Sequence, residues 1–271
     1  MSNYYEINIQ AEPVKQELLI AELAGIGYEG FEESETALKA YIAESNFSEN
    51  ELNNYLTKYD VKYSKSIIEK QNWNKVWESN FEPVQVDDFV GIRAGFHPAF
   101  EAVKYEIVIT PKMSFGTGHH ATTWMVMKLM QELDFSNKKV FDFGTGTGIL
   151  AILAEKLGAA YVLAVDNDEW CVENAAENIL INHCIHIDIQ KNEKVDIQPG
   201  YEIILANINR NIILENLEAL VKGLAPGGDL LLSGLLKSDE EDITNACLNQ
   251  GLLYRKTLTR NGWIALWFVG K

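Results

Sequence analysis

The segment Val140-Phe141-Asp142-Phe143-Gly144-Thr145-Gly146-Thr147-Gly148 is the part of the chain whose residue types most directly imply chemistry. An apolar run ends there in three alternating glycines, the pattern of a strand that turns tightly into a helix and leaves its backbone open to a ligand. The spacing narrows the ligand. A nicotinamide or flavin fingerprint, G-x-G-x-x-G, needs its third glycine at position 149, which is Ile149. Asp142, two residues before the first glycine, would also set a negative charge against a pyrophosphate. A carboxylate beside Gly144 and Gly146 suits a cofactor with ammonium and sulfonium groups, which is S-adenosylmethionine.

Other residues fall into register with that loop. Asp166 ends the run Leu163-Ala164-Val165-Asp166, 22 residues after Gly144. A carboxylate at that edge can accept both hydroxyls of an adenosine ribose, while Asp168 is better placed to cap the helix that follows. Leu224-Ala225-Pro226-Gly227-Gly228-Asp229-Leu230 reads as a helix stop, a turn and a new strand. Asn207 ends the run Ile203-Ile204-Leu205-Ala206-Asn207, without the prolines of the N-P-P-[YF] motif used on DNA bases and glutamine. Its amide can still accept a hydrogen bond from a substrate amine or from the cofactor. Phe115-Gly116-Thr117-Gly118-His119-His120-Ala121-Thr122-Thr123 reads as a bendable loop with two hydroxyls at a helix start, where Thr122 and Thr123 can hold the cofactor's carboxylate. The paired histidines invite a general-base or metal reading. No metal and no obligatory base are expected.

Strands must present these residues along one sheet edge, and the second half of the chain has that alternation. Strand-like runs at 139–143, 161–165, 185–190, 201–206 and 229–233 are separated by helical patterns at 149–157, 169–181 and 211–222. A helix at 239–249 follows, and two strands close the chain around Asn261-Gly262, a strong hairpin signal. The expectation is an α/β fold of the class I methyltransferase type, a doubly wound seven-stranded sheet whose last strand is antiparallel. Before it, residues 1–70 read β-α-β-β-α-β, a small ferredoxin-like α+β domain, with Val14, Leu18 and Ala21 on the apolar face of its first helix. Residues 71–84 form a helical linker with Trp73 and Trp77 one turn apart, and 85–271 the cofactor-binding domain.

Composition bounds the rest. With 271 residues and 47% apolar side chains, the chain can bury a full core without staples. Lys and Arg total 23 against 39 Asp and Glu, a net charge of −16 that disfavours direct nucleic-acid binding. Cys171, Cys184 and Cys247 form no C-x-x-C pair, and His183-Cys184-Ile185-His186 lacks the paired ligands of a zinc site. With no secretion signal and no apolar run of 18 residues, a cytoplasmic protein without a membrane span is expected, working as a monomer.

The order Trp73-x-x-x-Trp77-Glu78-x-Asn80-Phe81-x-Pro83, then Phe115-Gly116-Thr117-Gly118-x-His120-x-Thr122-Thr123, then the glycine loop, Asn207 and Ser233-Gly234 resembles the PrmA family, bacterial methyltransferases of large-subunit ribosomal protein eleven. The resemblance is strong from residue 71 onward. His119 and Ala121 depart from the family's usual G-T-G-T-H-P-T-T. It implies an N-terminal substrate-recognition domain and repeated N-methylation of lysine ε-amines and an N-terminal α-amine of that ribosomal protein. It also implies cofactor contacts at Thr123, Gly144, Asp166 and Asn207, with Asn207 beside the transfer point. Other readings are methylation of another protein or small-molecule amine, and a non-catalytic cofactor-binding factor in ribosome assembly. A nicotinamide dehydrogenase is disfavoured by Ile149 and Asp142.

Overall fold

Residues 4–68, 81–111 and 120–271 are described by this computed structural model, and the chain divides into units of residues 1–76 and 77–271. Most of the expected linker, with Trp73 and Trp77, and the loop residues Phe115 to His119 lie outside the described residues.

In the first unit, β1 (Tyr4–Gln10), α1 (Pro13–Ala24), β2 (Gly30–Glu33), β3 (Ala37–Ala43), α2 (Glu49–Tyr59) and β4 (Tyr63–Ile68) follow one another. The strands pair antiparallel in the order β2-β3-β1-β4, the ferredoxin-like arrangement. Alternation along β1 and β3 buries Ile7, Ile9, Leu38, Ala40 and Ile42 against Leu19, Leu23, Leu52 and Leu56 of the helices. One residue expected on the buried face of α1 falls outside the core. Leu18 is exposed, whereas Gln16 is fully buried with its amide donating to the carbonyls of Ala11 (2.7 Å) and Ser34 (2.8 Å). A polar side chain thus takes a core position that apolar spacing assigned to a neighbour.

The second unit opens with β5 (Val84–Val86), β6 (Val90–Ala94) and β7 (Tyr105–Ile109), a three-stranded sheet with β6 in the middle. Glu106 clamps the β6–β7 connection by accepting from Arg93 Nε and Nη2 (both 2.9 Å) and from the Phe100 amide (2.9 Å). The Arg93 guanidinium holds that carboxyl below the usual carboxylate range. Then come α3 (Ala121–Met130), β8 (Lys139–Phe143), α4 (Ile149–Lys156), β9 (Tyr161–Asp166), α5 (Glu169–Ile181), β10 (Ile187–Lys191), β11 (Tyr201–Asn207), α6 (Arg210–Gly223), β12 (Leu224–Leu236), α7 (Glu240–Asn249), β13 (Leu253–Arg260) and β14 (Trp263–Val269).

The seven strands from β8 onward lie in the order β10-β9-β8-β11-β12-β14-β13. The pairings from β10 across to β12 are parallel, and β14 runs antiparallel to both its neighbours. Near-continuous apolar strands are what a sheet covered on both faces requires. Val140, Val162, Ala164, Ile203 and Leu205 enter the core with α3, α4 and α5, and the alternate residues Phe141, Leu163, Val165, Ile204 and Ala206 enter the core with α6 and α7. The Pro226-Gly227-Gly228 turn is absorbed into β12 as a bulge: Leu224 pairs with Tyr201 and Asp229 with Ile203. Asn261 (φ 51°) and Gly262 (φ 80°) make the expected two-residue hairpin between β13 and β14.

Candidate active site

Register brings the predicted residues to one edge of the large sheet. Phe143 of β8 lies opposite Val165 of β9 and Ala206 of β11. The residues that follow are Gly144, just past the end of β8, Asp166 and Asn207, so all three sit at the same level of the carboxyl edge, where open α/β sheets bind ligands.

The glycine loop is folded back onto β9 by its own backbone. The amides of Gly144 (2.9 Å) and Thr145 (3.0 Å) both donate to the Val165 carbonyl, and the Gly146 amide donates to Asp166 Oδ2 at 2.8 Å. Asp166 Oδ1 accepts from the Asp168 amide at 3.1 Å, and Asp168 itself caps α5 by accepting from Trp170 N at 2.9 Å. Asp166 is therefore oriented by two amides while part of its carboxylate remains accessible. Gly144 has φ +75°, and a Cβ there would overlap Cγ2 of Ile208. Both facts demand glycine.

Asp142 lies beneath the loop and is fully buried. Its Oδ2 accepts a 2.6 Å bond from the Thr145 hydroxyl, and its Oδ1 has no hydrogen-bond partner. Burial pushes its carboxyl up to about 7; the Thr145 hydroxyl pulls it back, the charge of Asp166 adds to the rise, and the Ala151 backbone amide lowers it slightly. Thr145 escaped the sequence reading, although its place three residues after Asp142 was the available signal.

On the other side of β8, Asn207 Nδ2 donates to Thr123 Oγ1 at 3.2 Å. The Thr123 hydroxyl is thereby engaged, and Asn207 Oδ1 stays buried without a partner. Thr122 is also committed: its hydroxyl lies 2.7 Å from His120 Nδ1, which accepts the Thr122 amide as the N-cap of α3. The His120 ring packs edge-on against Trp263 at 4.5 Å. His120 thus has a structural position at the helix start. Among the described residues, no group of three or more His, Cys, Asp or Glu side chains could hold a metal ion, and the three cysteines are buried and free of disulfides.

Two buried acceptors without donors, Asp142 Oδ1 and Asn207 Oδ1, flank a glycine cradle with an accessible carboxylate at Asp166. An unpaired buried acceptor is a standing cost that a donor-bearing ligand removes. The set fits S-adenosylmethionine: ammonium donors for the Asp142 carboxyl and ribose hydroxyls for Asp166, with Asn207 Oδ1 left for an incoming amine.

The strand order, with its antiparallel β14 and a glycine loop after the central β8, defines a class I S-adenosylmethionine-dependent methyltransferase fold. The family described as ribosomal protein L11 methyltransferase (PrmA) matches residues 4–271, and the chain belongs to that family. It is 42% identical to the ribosomal protein L11 methyltransferase of Porphyromonas gingivalis, over 93% of this chain and 90% of that protein. With the protein of the same name from Bacteroides thetaiotaomicron it shares 36% identity, over 98% of this chain and 99% of the relative. The crystal structure of the ribosomal protein L11 methylase from Lactobacillus delbrueckii subsp. bulgaricus superposes with a TM-score of 0.65 at 28% identity, covering 70% of this chain and all of that one.

Proposed function

We propose that this chain transfers methyl groups from S-adenosylmethionine to lysine ε-amines and the N-terminal α-amine of ribosomal protein L11, in the cytoplasm and as a monomer. The observation that carries the reading is the near full-length match to the L11 methyltransferase family, joined to a sheet edge that aligns Gly144, Asp166 and Asn207. When bound, the cofactor supplies a methyl group on a sulfonium, an electrophile that a neutral amine attacks as the sulfide leaves.

The protein's own contribution is binding, orientation and desolvation. Asp142, Gly144 and Gly146 receive the methionine end, with Thr123 beside them, and Asp166 receives the ribose. Asn207, its Nδ2 fixed by Thr123, offers Oδ1 to the N–H of the incoming amine and so aligns its lone pair. A free lysine is neutral only to the order of one part in a thousand at pH 7. Transfer to a water-poor pocket lowers the ammonium's pKa, so proton loss to solvent precedes transfer and no dedicated base is needed. The N-terminal unit serves substrate recognition, and the net charge of −16 attracts a basic partner. No described helix is long and apolar enough to cross a membrane.

The test is incubation with labelled S-adenosylmethionine and ribosomal protein L11, wild type and with lysines replaced, followed by mass analysis. Methyl-unit steps confined to amines are expected. Donor binding without transfer to L11 would overturn the substrate.

A further inference from the structure

Helix α5 carries asparagines at 174 and 178, one turn apart, and Asn182 follows as its C-cap. Asn174 and Asn178 are fully buried. Asn182 behaves as a surrogate strand residue: its Oδ1 accepts from the Val108 amide (2.9 Å) and its Nδ2 donates to the Val108 carbonyl (2.6 Å). That pairing satisfies the free edge of β7 and reaches nothing in the glycine loop.

Asn178 does something different. Its Oδ1 accepts from the Thr110 amide at 2.8 Å. Its Nδ2 donates to the Thr147 carbonyl at 2.9 Å, inside the glycine loop, and to Asn174 Oδ1 at 2.9 Å. One buried carboxamide therefore joins two segments: the loop between Gly146 and Gly148, and the end of β7 that leads in sequence to Phe115-Gly116-Thr117-Gly118. An isosteric carboxylate could keep the Thr110 bond but would face two oxygens, at Thr147 and Asn174, with no proton to offer.

We infer that Asn178 is a positioning residue for the methyl donor, locking the glycine loop to the strand end at Thr110. The assignment rests on the cofactor reading above. Asn178 touches neither donor nor amine and acts through the backbone of Thr147. Losing it lets the loop drift, which weakens donor binding more than it slows the transfer step.

The experiment compares Asn178→Asp and Asn178→Leu with Asn182→Leu and Asn174→Ala in the full chain. It reads melting temperature, S-adenosylmethionine affinity by calorimetry, KM and kcat, and amide exchange at residues 144–148. Both Asn178 variants are expected to raise the donor Kd and KM at least tenfold, keep kcat at saturation within about threefold, and speed exchange in the glycine loop. Asn182→Leu is expected to lower the melting temperature without changing the donor Kd, and Asn174→Ala to leave the Kd within about twofold. Equal changes in Kd for Asn178 and Asn182 variants of matched melting temperature, or unaltered loop exchange in the Asn178 variants, would overturn the inference. Failure of the wild type to bind the donor would instead refute the cofactor reading, and loop exchange would still decide whether Asn178 positions the loop.

Discussion

Asn182 and Asn207 hold the same functional group in opposite states. At the seam of α5 and β7, both ends of the Asn182 amide are bonded to Val108. At the end of β11, Asn207 gives its donor to Thr123 and keeps a buried acceptor with nothing to accept. Asp142, one strand away, repeats the second state with an unpaired Oδ1. Buried polar groups are normally satisfied, so a satisfied one stabilises the fold and an unsatisfied one at a ligand-binding edge marks what the fold leaves for its ligand. Along the sheet edge, the difference separates polar residues that build the site from those that await an occupant.

The contrast is most easily broken at Asn207. Asn207→Ala is expected to reduce methyl transfer about a hundredfold, with little change in melting temperature, because the 3.2 Å bond lost to Thr123 is offset by removal of the unpaired Oδ1. A clearly lowered melting temperature, with turnover measured below the transition unchanged, would reverse the assignment.

Asn182→Leu is the opposite case. It leaves the Val108 amide and carbonyl unpaired and is expected to cost about 2 kcal/mol, seen as a melting temperature lower by about 5 °C. Turnover measured below the transition should stay near wild type.

Asp142 sharpens the comparison through pH. Its carboxyl is raised to about 7 in the folded protein, above the ordinary aspartate range. Between about pH 4 and pH 7 the unfolded chain releases this proton while the folded chain keeps it. Its contribution to stability is thus fully present at low pH and lost as pH rises through that window, by up to about 1.4 kcal/mol per pH unit. Asp142→Asn should remove this slope, so that denaturant titrations show the variant gaining on wild type as pH rises toward 7. Subtracting the two curves cancels opposite trends from carboxylates such as Glu106, whose pKa is lowered.

The smallest expected effect lies outside the sheet edge. If acidic charge recruits the basic substrate, raising salt should increase KM for ribosomal protein L11 several-fold and leave kcat unchanged. Salt-independent KM would remove charge from the account of recognition.

Local patterns carried most of what the sequence made legible. The glycine loop, the cap at Asp168 and the Asn261-Gly262 hairpin each depend on residues a few positions apart. The level alignment of Gly144, Asp166 and Asn207 followed from three apolar strands ending in those residues. What stayed hidden depends on distant partners. Thr123 and Asn207 meet across 84 residues, and Asn178 reaches Thr147 across 31 and Thr110 across 68. Apolar spacing also misassigned Leu18, which is exposed, and a hydrophobic pattern does not register the hydrogen bonds through which Gln16, Asn174 and Asn178 hold core positions.

On the proposed reading, the buried Asp142 carboxyl, with its unpaired Oδ1, belongs to the methyl donor. Calorimetric titration of S-adenosylmethionine into wild type, Asp142→Asn and Asn182→Leu tests it most directly. Micromolar-class binding is expected for wild type and Asn182→Leu, and at least tenfold weaker binding, about 1.4 kcal/mol or more, for Asp142→Asn. Equal affinity in Asp142→Asn and wild type would contradict it.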